Sequence, residues 1–206
     1  QYRGAAPINW AIINGDTETG VTTFLLDHEI DTGRIIHQAR TPISEEDNVE
    51  TIHDRLRDIG AGVVTQTVDD IIAGNIRPID QDTLTTDTEI RHAPKIFKDT
   101  CRLAFDLPVK RAFDFVRGMS PYPAAWTELV EENGKRTMLK IYATTREETT
   151  VAEALGTVLT DGKTYFKIAF LDGYLALTQL QLAGKKRMTV SDFLRGYHPE
   201  GALRAE

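Results

Sequence analysis

Cysteine is almost absent from this chain. Its single Cys101 excludes an internal disulfide framework and any cysteine-built zinc site, and reads as a small, half-buried apolar residue. Histidine is sparse too: the five, at 28, 37, 53, 92 and 198, share no metal-ligand spacing and form no HExxH pattern, so no protein-bound metal is expected. No apolar run approaches the roughly 18 residues of a membrane span. The start of the chain has neither the basic flank nor the apolar core of a secretion signal, which leaves a cytoplasmic address without a membrane partner as the expectation. Repeats and low-complexity tracts are missing as well.

The most informative absence is that of lysine, which first occurs at Lys95. Residues 1–88 hold 6 Lys+Arg against 16 Asp+Glu, a balance of −10, whereas residues 89–206 hold 18 against 15, a balance of +3. Opposite signs point to two modules, of which the basic one is the candidate to meet a polyanion. With 206 residues, 41% hydrophobic and 27% charged, the chain can bury the core of one large domain or two small ones.

The chain opens on Gln1-Tyr2-Arg3 with no start methionine and reads as cut. Pro7, Ile8, Trp10, Ile12 and Ile13 predict a two-turn helix ending at Asn14-Gly15. Thr19–Leu26 and Arg34–Ala39 are strand-like, forming a hairpin or neighbouring strands of one sheet. Glu46-Asp47-Asn48 introduces a helix whose apolar positions are Ile52, Leu56, Ile59, Val63, Val68 and Ile71 and which Gly74 closes. A polar connection follows from Arg77 to Ala93. Beyond it, Val109, Phe113 and Val116 mark a helix capped by Gly118. Strand-like runs at 126–130, 137–143, 156–160, 164–170 and 174–181, punctuated by Gly134, Asp161-Gly162 and Asp172-Gly173, suit a small antiparallel barrel of the OB type, and a last helix ends at Gly196.

One stretch carries more charge than a turn needs. In FLLDHEIDTGRII, residues 24–36, three carboxylates and a histidine stand between two apolar runs. Read alone, Asp31-Thr32-Gly33 is a turn whose aspartate caps its own backbone. Arg3-Gly4-Ala5-Ala6-Pro7, Asp16-Thr17-Glu18-Thr19-Gly20-Val21-Thr22 and Asp31-Thr32-Gly33 nevertheless resemble the second half of the folate-dependent formyltransferase domain. With Ser120-Pro121-Tyr122-Pro123-Ala124-Ala125-Trp126 and Leu180-Gln181-Leu182-Ala183-Gly184-Lys185-Lys186-Arg187, the resemblance covers essentially the whole chain and is nearest to the branch that acts on methionyl-tRNA.

That resemblance implies an α/β plus β fold: the second half of a doubly wound, Rossmann-like formyltransferase domain in residues 1–88, a linker at 89–104, and an OB-like tRNA-binding domain at 105–206. It implies formyl transfer from 10-formyltetrahydrofolate to the amino group of methionyl-tRNA, in translation initiation. Asp31 would be the aspartate of a catalytic Asn-His-Asp set, holding an imidazolium while the amine loses its proton. Asp27, His28, Glu29 and Ile30 would line the folate site, mainly through backbone, with Arg3 and Gly4 in the substrate cleft. The Asn and His of the set precede this sequence, so the chain alone is expected to be inactive, and a sheet cut there is expected to self-associate. For tRNA, Lys185, Lys186 and Arg187 are the leading phosphate ligands and Arg117, Lys135, Arg136 and Lys140 secondary ones. Trp126 and Tyr122 could stack on a base or pack a helix onto the barrel. Formylation of a sugar nucleotide, or a non-catalytic RNA-binding module, are the competing readings.

Overall fold

A computed structural model of the chain describes residues 2–83, 90–199 and 201–206. These fall into two compact units, one of residues 1–11 and 16–95, the other of 12–15 and 96–206. The expected domain edge at residue 88 lies outside the described residues.

In the first unit, β1 (Tyr2–Gly4) is followed by α1 (Pro7–Ile13, its last two residues counted with the second unit), β2 (Glu18–Phe24), β3 (Ile35–Pro42), the long α2 (Val49–Ile72) and β4 (Arg91–Ala93). β2 and β3 pair antiparallel from Glu18↔Pro42 to Phe24↔Ile35, with an irregularity at Thr23/Phe24. β4 arises inside the stretch expected as a connection and pairs in parallel with β1, Tyr2 opposite Arg91 and Gly4 opposite Ala93. A Cβ at Gly4 would sit 2.3 Å from the Ala93 carbonyl oxygen, so only glycine allows this approach. Tyr2 Oη donates to Asp16 (2.7 Å) and Arg91 donates to the other Asp16 oxygen (3.1 Å), so the aspartate of the Asp16–Thr22 motif ties β1 and β4 together.

α2 begins in a capping box: Asn48 Oδ1 accepts the Thr51 N–H, and Thr51 Oγ1 accepts the Asn48 N–H. Its buried stripe is Ile52, Leu56, Val63 and Thr67, packed on β2 and β3. Val68 and Ile71, expected on that stripe, stay exposed at 48% and 46%. At about 100° per residue, Val68 lies roughly 160° around the helix from Ile52, and Thr67 takes the buried place instead.

Ahead of the helix, Asp47 is 5% exposed. Arg55 forks onto both its oxygens (2.7 and 3.2 Å), and the Ser44 N–H (2.8 Å), the Ser44 hydroxyl (3.1 Å) and the Thr51 hydroxyl (3.0 Å) also donate to it. Burial pushes this carboxyl up, but Arg55 and these donors together hold it below its ordinary value of 3.8. The unfolded chain therefore binds more protons here, and the stability contributed by Asp47, fully present above that ordinary value, is lost as pH falls through the lower folded value. Asp47→Asn in the full-length protein is expected to lower stability at neutral pH and to flatten its loss below about pH 4. Denaturant unfolding across that range checks this, and an unchanged acid slope would exonerate Asp47.

In the second unit, α3 (Val109–Met119) precedes β5 (Ala125–Glu131), β6 (Arg136–Glu148), β7 (Val158–Thr160), β8 (Phe166–Phe170), β9 (Gly173–Leu182), β10 (Met188–Thr189), α4 (Val190–Gly196) and β11 (Leu203–Ala205). Gly118 does not end α3, as the sequence suggested: the helix continues to the fully buried Met119, with Ser120 as its cap residue. At its other end, the Val109 N–H donates to the carboxylate of Asp172, 63 residues away (2.6 Å). The strands form one antiparallel sheet in the order β11-β5-β6-β9-β8-β7, with β10 on β9. A bridge between Thr157 and Arg204 and the Ala205 N–H to Gly156 carbonyl bond (2.8 Å) draw the two ends together, so the sheet nearly closes. β5 alternates strictly, Ala125, Thr127, Leu129 and Glu131 facing in, and Leu139, Ile141, Phe166, Ile168, Leu175 and Leu180 complete the core.

Candidate functional site

The charged loop runs from Leu25 to Arg34 between β2 and β3, closed at its base by the Leu25 N–H to Arg34 carbonyl bond (2.9 Å). Its short polar residues satisfy their own backbone. Asp27 Oδ1 accepts the N–H of His28 (2.7 Å), and the Thr32 hydroxyl donates to the Glu29 carbonyl (3.0 Å). The His28 amide is thus already engaged, which narrows the backbone groups that 27–30 can offer a ligand. Leu26 and Ile30 are 91% and 89% exposed.

Asp31 follows the carboxyl end of β2 by seven residues and takes a left-handed conformation, φ 61. Aspartate tolerates that region better than most side chains. Among the described residues, no hydrogen bond holds its carboxylate. Gly33 is buried against Leu25: a Cβ there would lie 1.6 Å from the Leu25 carbonyl oxygen. The turn is gripped from a distant segment, since Gln81 Nε2 donates to the carbonyls of Asp31 (3.0 Å) and Gly33 (2.7 Å). Arg3 Nη2 in turn donates to Gln81 Oε1 (2.9 Å). The structure therefore links Arg3 to the Asp31 turn through a residue that sequence reasoning missed, while Gly4 is taken up by its approach to Ala93.

In the second unit, Trp126, Lys140 and Gln181 stand opposite one another on β5, β6 and β9, forming a row on the outward face. The Trp126 indole N–H donates to the Lys98 carbonyl (2.8 Å), and the cationic ends of Arg102 and Lys98 lie 5.4 and 5.9 Å from its ring. Tyr142 Oη donates to Gln181 (2.7 Å), and Gln181 Nε2 to the carbonyl of Lys185 (2.7 Å). Arg187 stacks 4.4 Å over the Tyr142 ring and donates to Gln179 through Nε (2.9 Å) and Nη2 (2.5 Å). Lys185 and Lys186 are exposed beside it. This face has the cations and π-surfaces that single-stranded nucleic acid uses.

Three secondary candidates fit less well. Arg117 is only 8% exposed, its Nε donating to Asp114 (2.9 Å), which makes it a member of an internal ion pair. Lys135 pairs with Glu131 (3.0 Å), and Arg136 with Glu206 (2.6 Å) and Glu128 (3.2 Å), which spends their charge locally. Tyr122 is 83% exposed and so does not pack a helix onto the sheet. Nothing in the sequence marks the proximity of Lys98 and Arg102 to Trp126. Among the described residues, no three His, Cys, Asp or Glu side chains converge as a metal requires, and no helix is long and apolar enough to cross a membrane.

The sequence profile of the formyl transferase C-terminal domain matches residues 95–198, and that of the formyl transferase domain itself matches residues 1–68. The chain belongs to the formyl transferase family, with its Rossmann-like N-terminal portion followed by the C-terminal domain. It is 57% identical over 207 residues to the methionyl-tRNA formyltransferase of Phocaeicola vulgatus, covering 100% of this chain and 64% of that protein. Against the methionyl-tRNA formyltransferase of Parabacteroides distasonis it is 57% identical over 198 residues, 96% of this chain and 61% of that protein. The chain thus spans less than two thirds of the length of these relatives. Among solved structures it is similar to HypX from Aquifex aeolicus in complex with tetrahydrofolic acid, with TM-score 0.64 and 19% identity over 97% of this chain and 35% of that one. It is also similar to the sugar 3N-formyl transferase WlaRD (TM-score 0.64, 20% identity, 90% of this chain and 62% of that one), and at such identities these structures speak for the fold alone.

Proposed function

We propose that the protein containing this chain transfers a formyl group from 10-formyltetrahydrofolate to the amino group of methionyl-tRNA. The observation that carries this reading is the 57% identity to a methionyl-tRNA formyltransferase over the whole chain, a span that includes the Asp31 loop and the basic sheet face. Asp31 is the carboxylate that holds a protonated base while the amine attacks. Loop residues 27–30 face the folate, with Ile30 offering an exposed apolar side chain to a flat ring. The nearly closed sheet is read as an OB-like barrel whose β5–β6–β9 face, extended by Lys185, Lys186 and Arg187, takes the tRNA.

In the full-length protein, formylation of methionyl-tRNA and not of an amino-sugar nucleotide is the expected result. The reverse preference would turn the reading to the sugar substrate. Changing Lys185, Lys186 and Arg187 together to Ala is expected to weaken tRNA binding about tenfold or more and to reduce the slope of log affinity on log salt by about two, because each neutralised phosphate releases counterions. Folate binding should be unaffected. If neither affinity nor slope moves, the tRNA contact shifts to Lys140 and the cations beside Trp126.

A further inference from the structure

We infer that Gln81 is a positioning residue for the Asp31 turn, an inference that rests on Asp31 being the reacting carboxylate. All three polar valences of its amide that matter are used. The two hydrogens on Nε2 go to the carbonyls of Asp31 and Gly33, and Oε1 accepts from Arg3. No other side chain does this. Glutamate cannot donate to either carbonyl and would repel both, methionine has the length without the hydrogen bonds, and asparagine is one methylene short. The two carbonyls bracket Thr32, so the amide clamps the chain on both sides of the turn, directly after the residue with φ 61.

Gln81 reaches the turn because its own strand approach is fixed. Ile79 and Ile35 exchange both backbone hydrogen bonds (2.8 and 2.9 Å), setting the segment that ends in Gln81 beside the start of β3. The buried Gly33, seated against the Leu25 carbonyl, holds the opposite side. An Asp31 carboxylate with no hydrogen bond of its own among the described residues must be aimed through its backbone, and Gln81 provides that aim. Through Arg3, the same amide couples the turn to β1.

The test compares Gln81→Glu and Gln81→Met with Asp31→Asn in the full-length protein. Loss of two hydrogen bonds that only orient a reacting group should lower kcat by about tenfold to a hundredfold while the KM for the formyl donor changes less than about threefold. Hydrogen exchange should quicken in peptides covering 25–34 and remain unchanged in α2, which separates lost aim from general loosening. If both Gln81 variants keep kcat within about twofold of the parent while Asp31→Asn is impaired, the inference is overturned and the role of Asp31 stands. If Asp31→Asn retains full turnover, the reading of Asp31 fails, and this inference fails with it. Unchanged exchange across 25–34 in Gln81→Met equally overturns the clamp.

Discussion

Asp31→Asn in the full-length protein is expected to remove most turnover, by about 10²- to 10⁴-fold in kcat, while leaving binding of the formyl donor close to that of the parent. The substitution isolates charge. Asparagine tolerates the left-handed conformation that Asp31 adopts at φ 61, and its backbone carbonyl still accepts from Gln81. The turn therefore persists and only the carboxylate's capacity to hold a protonated base is lost. Single-turnover formylation, read beside donor binding, makes the distinction. A variant with near-normal turnover would strip Asp31 of its chemical role and leave the charged loop as a folding feature. Asp31→Ala is the less informative change, because it adds a backbone penalty for the left-handed geometry to the loss of charge.

The second large effect is on stability. Asp114 is 1% exposed in the middle of α3, receiving Lys110 Nζ (2.5 Å) one turn earlier and Arg117 Nε (2.9 Å) one turn later. Arg117 itself is 8% exposed, lies against the Phe113 ring (5.7 Å) and donates to that carboxylate. Removing one partner of a buried pair leaves the other charge in low dielectric, so Asp114→Ala is expected to destabilise by about 3 kcal/mol. Asp114→Leu together with Arg117→Met should recover much of that loss, since apolar replacement of both partners spares the desolvation of either. Chemical denaturation of the two variants checks the pair. A loss under about 1 kcal/mol for Asp114→Ala would mean that the pair behaves like a surface ion pair despite its burial.

Asp114 and Arg117 also show where reading the sequence stopped. Arg117 looks like any other cation of the basic second part, and its three-residue spacing from Asp114 is equally common on solvated helices. Burial alone separates the two cases, and burial depends on how α3 lies on β6 and β9. The same reason accounts for the exposed Val68 and Ile71: the apolar pattern is helical, but which side of the helix meets β2 and β3 is not contained in it.

What the sequence determined by itself was local or carried by motif. The strand-like run at 126–130 predicted β5, the Asp47-Asn48 start predicted the beginning of α2, Asn14-Gly15 the end of α1, and the quoted motifs led to the formyl transferase family. These signals act within a few residues, through propensity, capping and periodicity, so they are visible before folding. Only the tertiary structure brought Gln81 to Asp31 across 50 positions, Asp172 to the start of α3 across 63, and Lys98 to Trp126 across 28. Such contacts are fixed by sheet register and chain crossing, which depend on the whole buried surface at once and leave no periodic trace in the residues that finally meet.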